Sequence, residues 1–287
     1  VRWLSVVVAG AACYQPIEAR VIADAPARDG TADTAPADAA FTCPAGNATP
    51  AFSPQAFPAV YSPCGDYSVS EAAQRVVATC DYADQVLISE GGLVGELSPV
   101  AAFGSDGVHV YDHPRLSPAG DELFVRVIEM ATGSATFARY ARDGSGWSFA
   151  ATETYPNIGI TDVSAPTAGT PRTMLIDDDT DLMYELAETS TDSWSIVGTY
   201  APSDLGMTTA PFGPVLTDDG LHVVFGPSSY LAGSDWIYYA ARADPGSAFG
   251  SAQPLLSAPM QPPAYLESSC GRMYYEQDTH LDYVDQQ

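Results

Sequence analysis

Five times between residue 70 and the carboxyl end, a Ser or Thr precedes a short turn and then a run of β-favouring residues. These anchors are Ser70, Ser117, Ser164, Thr217 and Ser268, spaced 47, 47, 53 and 51 residues apart. The runs after them fall at 76–77, 123–128, 174–176, 223–225 and 273–275. A second run follows in "TFARYAR", "DLMYELA", "DWIYYAAR" and "LDYV", and a third opens on an aromatic at Trp147, Trp194 and Phe249. Three to four short strands recurring at a period near fifty form a unit that cannot bury its own apolar faces and must stack against copies of itself. The expected architecture is therefore an all-β propeller of five blades, with six as the alternative count.

The turns agree with this. In "LTDDGLHVVF" (216–225) the Asp-Gly pair supplies the positive φ of a tight hairpin, and the apolar residues on either side pack between neighbours. The 24 Gly and 23 Pro suit a turn-rich chain, and no amphipathic helical stretch of useful length occurs.

The repeat resembles the WD40-like repeat of TolB-type propellers. The fourth copy carries the likeness best: Pro214, Leu216, Asp219 and Gly220 at the turn, then Asp235, Ile237, Tyr238 and Arg242, then Phe249, Gly250 and Pro254. The second keeps Pro114, Leu116, Ser117, Pro118 and Gly120, whereas the first and third lack the Asp-Gly pair. The resemblance spans about residues 67–287 and implies a propeller. It leaves no room for the α/β domain that precedes the propeller in TolB itself.

The amino terminus, "VRWLSVVVAGAAC", has an arginine, ten apolar residues and a cysteine. Ten are too few to span a bilayer but suit an export signal. The stretch resembles a bacterial lipoprotein signal, which implies lipid attachment at Cys13, although Gly10 stands where that pattern prefers Leu, Val or Ile. Residues 14–40 are rich in Ala, Asp, Pro and Thr and too poor in large apolar residues to offset ordering entropy, so they read as a tether. The expected organisation is a signal over 1–13, the tether over 14–40, a Cys- and Pro-rich segment over 41–69, and the propeller over 70–287. The place of such a protein is the bacterial envelope, in the periplasm or at the outer membrane, or outside the cell.

If Cys13 carries lipid, Cys43, Cys64, Cys80 and Cys270 remain for two disulfides in an oxidising compartment. The last repeat has room for only two strands after its anchor, and propellers commonly complete one blade from both termini. Residues 41–69 are thus candidates to close the ring, and Cys270 is expected to pair with Cys64 or Cys80, contributing roughly 2–5 kcal/mol.

Charge excludes several functions. Thirty-six acids stand against 11 bases, all of them Arg, for a formal charge of −25. Such a chain repels nucleic acid and anionic lipid, so a membrane contact is expected only through the anchor. Without Lys there is neither a Walker-type phosphate loop nor Schiff-base chemistry. In "DDDTDLMYELAE", Asp177, Asp179, Asp181 and Glu188 occupy positions 1, 3, 5 and 12 of a calcium loop, but position 6 is Leu182 instead of the Gly that the turn requires. An acidic hairpin tip accounts for the same residues, so no cofactor is required and calcium is the alternative. "DPGSAF" (244–249) and "DGSGW" (143–147) resemble Asp-box turns, which are structural. His109, His113, His222 and His280 show no ligand spacing, and no G-x-S-x-G or H-E-x-x-H motif occurs. The expectation is a monomeric, non-catalytic module that binds an envelope protein or glycan. A glycoside hydrolase using funnel carboxylates and a calcium-dependent adhesion domain are the alternatives.

Overall fold

The computed structural model describes residues 52–55 and 64–286, apart from 83–84, 94–95, 105, 145, 157, 179, 228–236, 257–262, 268–269 and 278–279. After β1 (Phe52–Gln55), the first blade contains β2 (Cys64–Ser70), β3 (Arg75–Tyr82), β4 (Gln85–Gly92) and β5 (Ser98–Pro99). The second has β6 (His109–Leu116), β7 (Glu122–Glu129), β8 (Ala135–Asp143) and β9 (Gly146–Thr152). The third has β10 (Ile160–Val163), β11 (Thr173–Asp178), β12 (Met183–Ser190) and β13 (Ser193–Tyr200). The fourth has β14 (Pro211–Leu216), β15 (His222–Pro227), β16 (Ile237–Ala241) and β17 (Gln253–Leu256). The fifth has β18 (Pro263–Leu266), β19 (Arg272–Gln277) and β20 (His280–Gln286), and β1 pairs antiparallel with β20 as its fourth strand. Five antiparallel four-stranded sheets thus stand in a ring with their first strands innermost: a five-bladed β-propeller. The helical segments among the described residues are two short 3₁₀ turns, and neither is long enough to cross a membrane.

The second strand of each blade is apolar without alternation because both of its faces are covered. Val223 and Phe225 pack toward the third blade while Val224 packs toward the fifth. Met174 and Ile176 face the second blade and Leu175 the fourth. Strands buried on both faces read as continuous hydrophobic runs. The core is accordingly five clusters, one in each gap between neighbouring blades.

The anchors Ser70, Ser117, Ser164 and Thr217 lie at the hairpin between the first and second strands, not at the start of the blade, so the runs read from sequence as first, second and third are the second, third and fourth strands. In the fourth blade, Thr217 Oγ1 accepts the His222 N–H and Gly220 adopts φ 71°. Gly120 is the equivalent in the second blade, at φ 69°. A Cβ there would also stand 2.4 Å from the Ala73 Cβ of the first blade, so this turn needs glycine for packing as well as for conformation.

The expected disulfide between Cys270 and Cys64 or Cys80 does not form. Cys64 and Cys80 are direct partners across β2 and β3, with Cα atoms 4.0 Å apart, and are bonded to each other. Cys270 lies in the cluster between the fourth and fifth blades, whereas Cys64 and Cys80 lie in the one between the fifth and first, so the fifth blade separates them. Cys270 is itself disulfide-bonded. Cys13 and Cys43 lie outside the described residues, as do the proposed signal and tether.

Candidate functional site

Each first strand slips register against its second, within Gly65–Ser68, Asp112–Arg115, Ile160–Asp162, Phe212–Val215 and Pro263–Tyr265. At these bulges Asp66, His113 and Gly213, each four residues before its anchor, take φ of 51°, 47° and 59°. Left-handed backbone at non-glycine residues costs about 1–3 kcal/mol and clusters at functional sites. The bulges stand at the end of the channel where the second strands finish, away from the anchor hairpins, and they gather a dense set of charges there.

The set is built by side chains reaching from one blade to the next. Near the end of β19, Glu276 accepts the Asp66 N–H at 3.0 Å. Near the end of β11, Asp177 accepts the Gly213 N–H at 3.0 Å and the Asp162 N–H at 2.6 Å. In β7, Arg126 donates to the Thr161 carbonyl at 2.9 Å and grips Asp112 with two bonds of 2.8 and 2.9 Å. Arg115, buried on the innermost strand β6, gives its guanidinium to Asp162 at 2.6 Å and its Nε to the Val163 carbonyl at 2.8 Å. His113 Nδ1 is buried 3.4 Å from Asp112 Oδ1 and 3.6 Å from Asp66 Oδ2, between two carboxylates but hydrogen-bonded to neither.

Five carboxyls against two guanidiniums cannot all ionise in so confined a space. Burial, and then the Asp162 charge, push Asp177 up to about 7 despite its backbone donors. Burial, and then Asp66, likewise push Glu276 up to about 7. Asp112 goes the other way: burial opposes its ionisation most strongly, but the Arg126 bonds and the neighbouring His113 together outweigh burial and hold it down at about 2. Burial lowers the His113 imidazole, but the adjacent Asp112 carboxylate and the charges of Asp162 and Asp66 overcome this and leave it raised. This end of the channel therefore holds ionised and protonated carboxyls side by side, with Asp66 its most open acid at 37% exposure.

The acids of the calcium-like stretch do not converge. Asp177 is the buried channel acid, whereas Asp181 is exposed at the tip between β11 and β12 with φ 68°. Glu188 sits on β12 five residues beyond Met183, the partner of Asp177. That places it roughly 16 Å away at about 3.3 Å per residue. There it binds Arg172 at 2.8 and 2.9 Å. Asp179 lies outside the described residues. Among the described residues no three His, Cys, Asp or Glu side chains come together to hold a metal ion. His222 is a core residue on the Tyr239 hydroxyl at 2.7 Å, and His109 lies on the second blade, away from the channel.

Sequence reasoning did not single out Asp66, Asp112, Arg115, Arg126, Asp162 or Glu276. The signal was present: lining up the anchors places the turn-formers Gly-Asp, His-Pro and Gly-Pro at or beside the same position, four before each anchor, where a first strand has no need of a turn.

No protein-family model matches the chain, and no curated protein matches it by sequence. Solved structures do. A Bifidobacterium bifidum protein provisionally assigned as an exo-β-1,3-galactanase superposes with TM-score 0.53 at 11% identity, over 81% of this chain and 92% of its own. A bifunctional GH43-CE protein of Bacteroides eggerthii gives TM-score 0.50 at 12% identity over 82% of this chain, which spans only 34% of that longer protein. A protein provisionally assigned as TolB from Agrobacterium tumefaciens gives 0.42 at 13% identity, over 74% of this chain and 69% of its own. At these identities the likeness is one of fold.

Proposed function

We propose that this protein is an extracytoplasmic binding module, lipid-anchored at Cys13, that holds an envelope glycan or protein without cleaving it. The observation that carries this reading is that Asp112, Asp162 and Asp177, three of the five channel carboxyls, have both oxygens on protein donors. A general base or nucleophile must face the reacting atom, and these face the protein instead. Asp112 has both oxygens on Arg126 and is held down at about 2, and Asp177 has both oxygens on backbone N–H groups. What remains open at the mouth is Asp66, with His113 buried behind it, suited to polar uncharged or cationic groups of a ligand. The Cys64–Cys80 disulfide supports a compartment outside the cytoplasm.

A second reading is favoured by one observation. Glu276, pushed up to about 7 beside Asp66, is the protonated acid that glycoside hydrolysis needs next to an ionised partner. The fold likeness to the provisional galactanase gives it further support. The two readings separate in an assay of reducing-end release from neutral polysaccharides and aryl glycosides. Binding without release supports the module. Turnover that Glu276→Gln abolishes and Val197→Ala does not would overturn it. Radiolabelled palmitate incorporated by the wild type but not by Cys13→Ala tests the anchor.

A further inference from the structure

Away from the channel, the second blade carries a cavity of about 380 Å³ on the face turned toward the first blade. That volume lies within the range of small-ligand sites. It runs across all four strands of the sheet, from His109 and Tyr111 on β6 to Phe149 and Thr152 on β9, opposite a first blade whose outermost strand, β5, is two residues long. Cross-strand neighbours bring Tyr111, Val127 and Thr136 into one row and Tyr140 and Phe149 into another. Phe103 fixes the rings from below, edge-on to Tyr111 at 5.7 Å and to Tyr140 at 4.6 Å. Tyr140 in turn holds Phe149 edge-on at 5.8 Å. Phe149 is 61% exposed, an aromatic face with nothing over it.

The rim is polar. Asp106 accepts the backbone N–H groups of Val108 and His109 and takes the His109 Nδ1 at 2.7 Å, which orients the imidazole and leaves its Nε2 without a protein partner among the described residues. Glu129 is steadied by the Thr132 hydroxyl at 2.7 Å. The hydroxyls of Thr136 and Thr152 line the cavity and have no protein hydrogen bond among the described residues. Exposed rings combined with a few unengaged donors and acceptors suit a ligand with an apolar face and an equatorial belt of hydroxyls. Glu129 lines the cavity and Asp106 stands beside it, so an anionic ligand is disfavoured.

We infer that this groove is a binding site for a neutral hexose-containing polysaccharide, one sugar ring stacking on Phe149 and the hydroxyls of units further along the polymer on Glu129 and His109. The inference rests on the binding-module reading and supplies its ligand class. It is tested by native-gel affinity electrophoresis of the full chain, whose charge of −25 ensures migration, through graded mixed-linkage β-glucan, galactan and galactomannan. At least one polymer should retard the wild type. Phe149→Ala should weaken that binding at least tenfold, and Glu129→Gln several-fold, while Val197→Ala, which trims an equally exposed residue of the third blade, should leave it unchanged. Phe149 supports no buried core, so its variant should melt within a few degrees of the wild type, and the melting curve verifies that it is folded. Retardation that survives Phe149→Ala, no retardation in any of the three polymers, or retardation by pectate alone overturns the inference. Retardation that survives Phe149→Ala but is lost in Asp112→Asn overturns the groove while leaving the binding-module reading intact.

Discussion

Arg242, which occupies the arginine position of the fourth repeat, offers the sharpest test of how the blades are held together. Its side chain is 1% exposed, and that of Glu185, on the third blade, is 6% exposed. The two share parallel bonds of 2.7 and 2.8 Å, Nε donates to the Gly220 carbonyl at 2.7 Å, and the guanidinium lies 4.4 Å from the centre of the Phe249 ring. Replacing Arg242 by Met keeps the aliphatic volume but leaves Glu185 buried with the Tyr200 hydroxyl, at 2.9 Å, as its remaining hydrogen-bond partner among the described residues. Removing one member of a buried pair costs about 3–5 kcal/mol, because the other charge is stranded. For a domain of this size each kcal/mol moves Tm by about 2–4 °C, so a drop of roughly 6–20 °C is expected. Replacing both residues, as Arg242→Met with Glu185→Leu, removes the stranded charge and should cost less than Arg242→Met alone. Urea unfolding followed by circular dichroism, with the disulfides intact, measures Arg242→Met, Glu185→Leu and the double variant. A loss below about 1 kcal/mol for Arg242→Met, or a double variant as unstable as the sum of the singles, would show that the pair is ornamental and that apolar packing alone joins these blades.

Other expectations are as direct. Asp177 and Glu276 hold their protons more tightly in the folded state than in the unfolded chain, so stability falls as pH rises from about 4 to about 7. The slope approaches 1.4 kcal/mol per pH unit for each group. Melting should be higher at pH 5 than at pH 8, and Asp177→Asn with Glu276→Gln should flatten the curve, leaving a residue from Asp218, which burial pushes up to about 6. Asp112 acts in the opposite sense at lower pH, its contribution being present above about 4 and lost toward 2. Replacing Cys64 and Cys80 together by Ser should cost about 2–4 kcal/mol in unfolding free energy. Gly120→Ala should destabilise well beyond Gly133→Ala. Both sites have positive φ, but nothing lies within 4 Å of a Cβ at Gly133, so the difference between them isolates the contact with Ala73.

The ring was legible because its evidence is periodic: anchors, turns and doubly buried runs repeat in one register. Strand phase was less so, since β10 and β18 are four residues each and look like loop until their partners are known. The motif residues Arg242, Trp147 and Trp194 were visible, but not their use. In three gaps an Arg lies over the aromatic of an outer strand while a carboxylate binds it, as in Arg142 with Trp147 and Glu90, or Arg172 with Trp194 and Glu188. The channel charges were the least legible. Asp66, Asp162 and Glu276 come from three blades and have no sequence spacing in common, so only closure of the ring brings them together. The cysteine pairing failed for a related reason: closure was expected to govern Cys64, whereas the nearer partner across a single hairpin did.

The pairing of β1 with β20 sets the order in which the protein can be completed. β1 is the first strand of the ring to be synthesised and the last to find its place, because the residues it pairs with, Tyr283 to Gln286, are translated after every other strand. Until then a nascent chain holds four blades and an open edge. Closure of the ring therefore waits on the synthesis of β20. A chain that stalls or is clipped before β20 loses not one blade but the joint that makes the other four a ring.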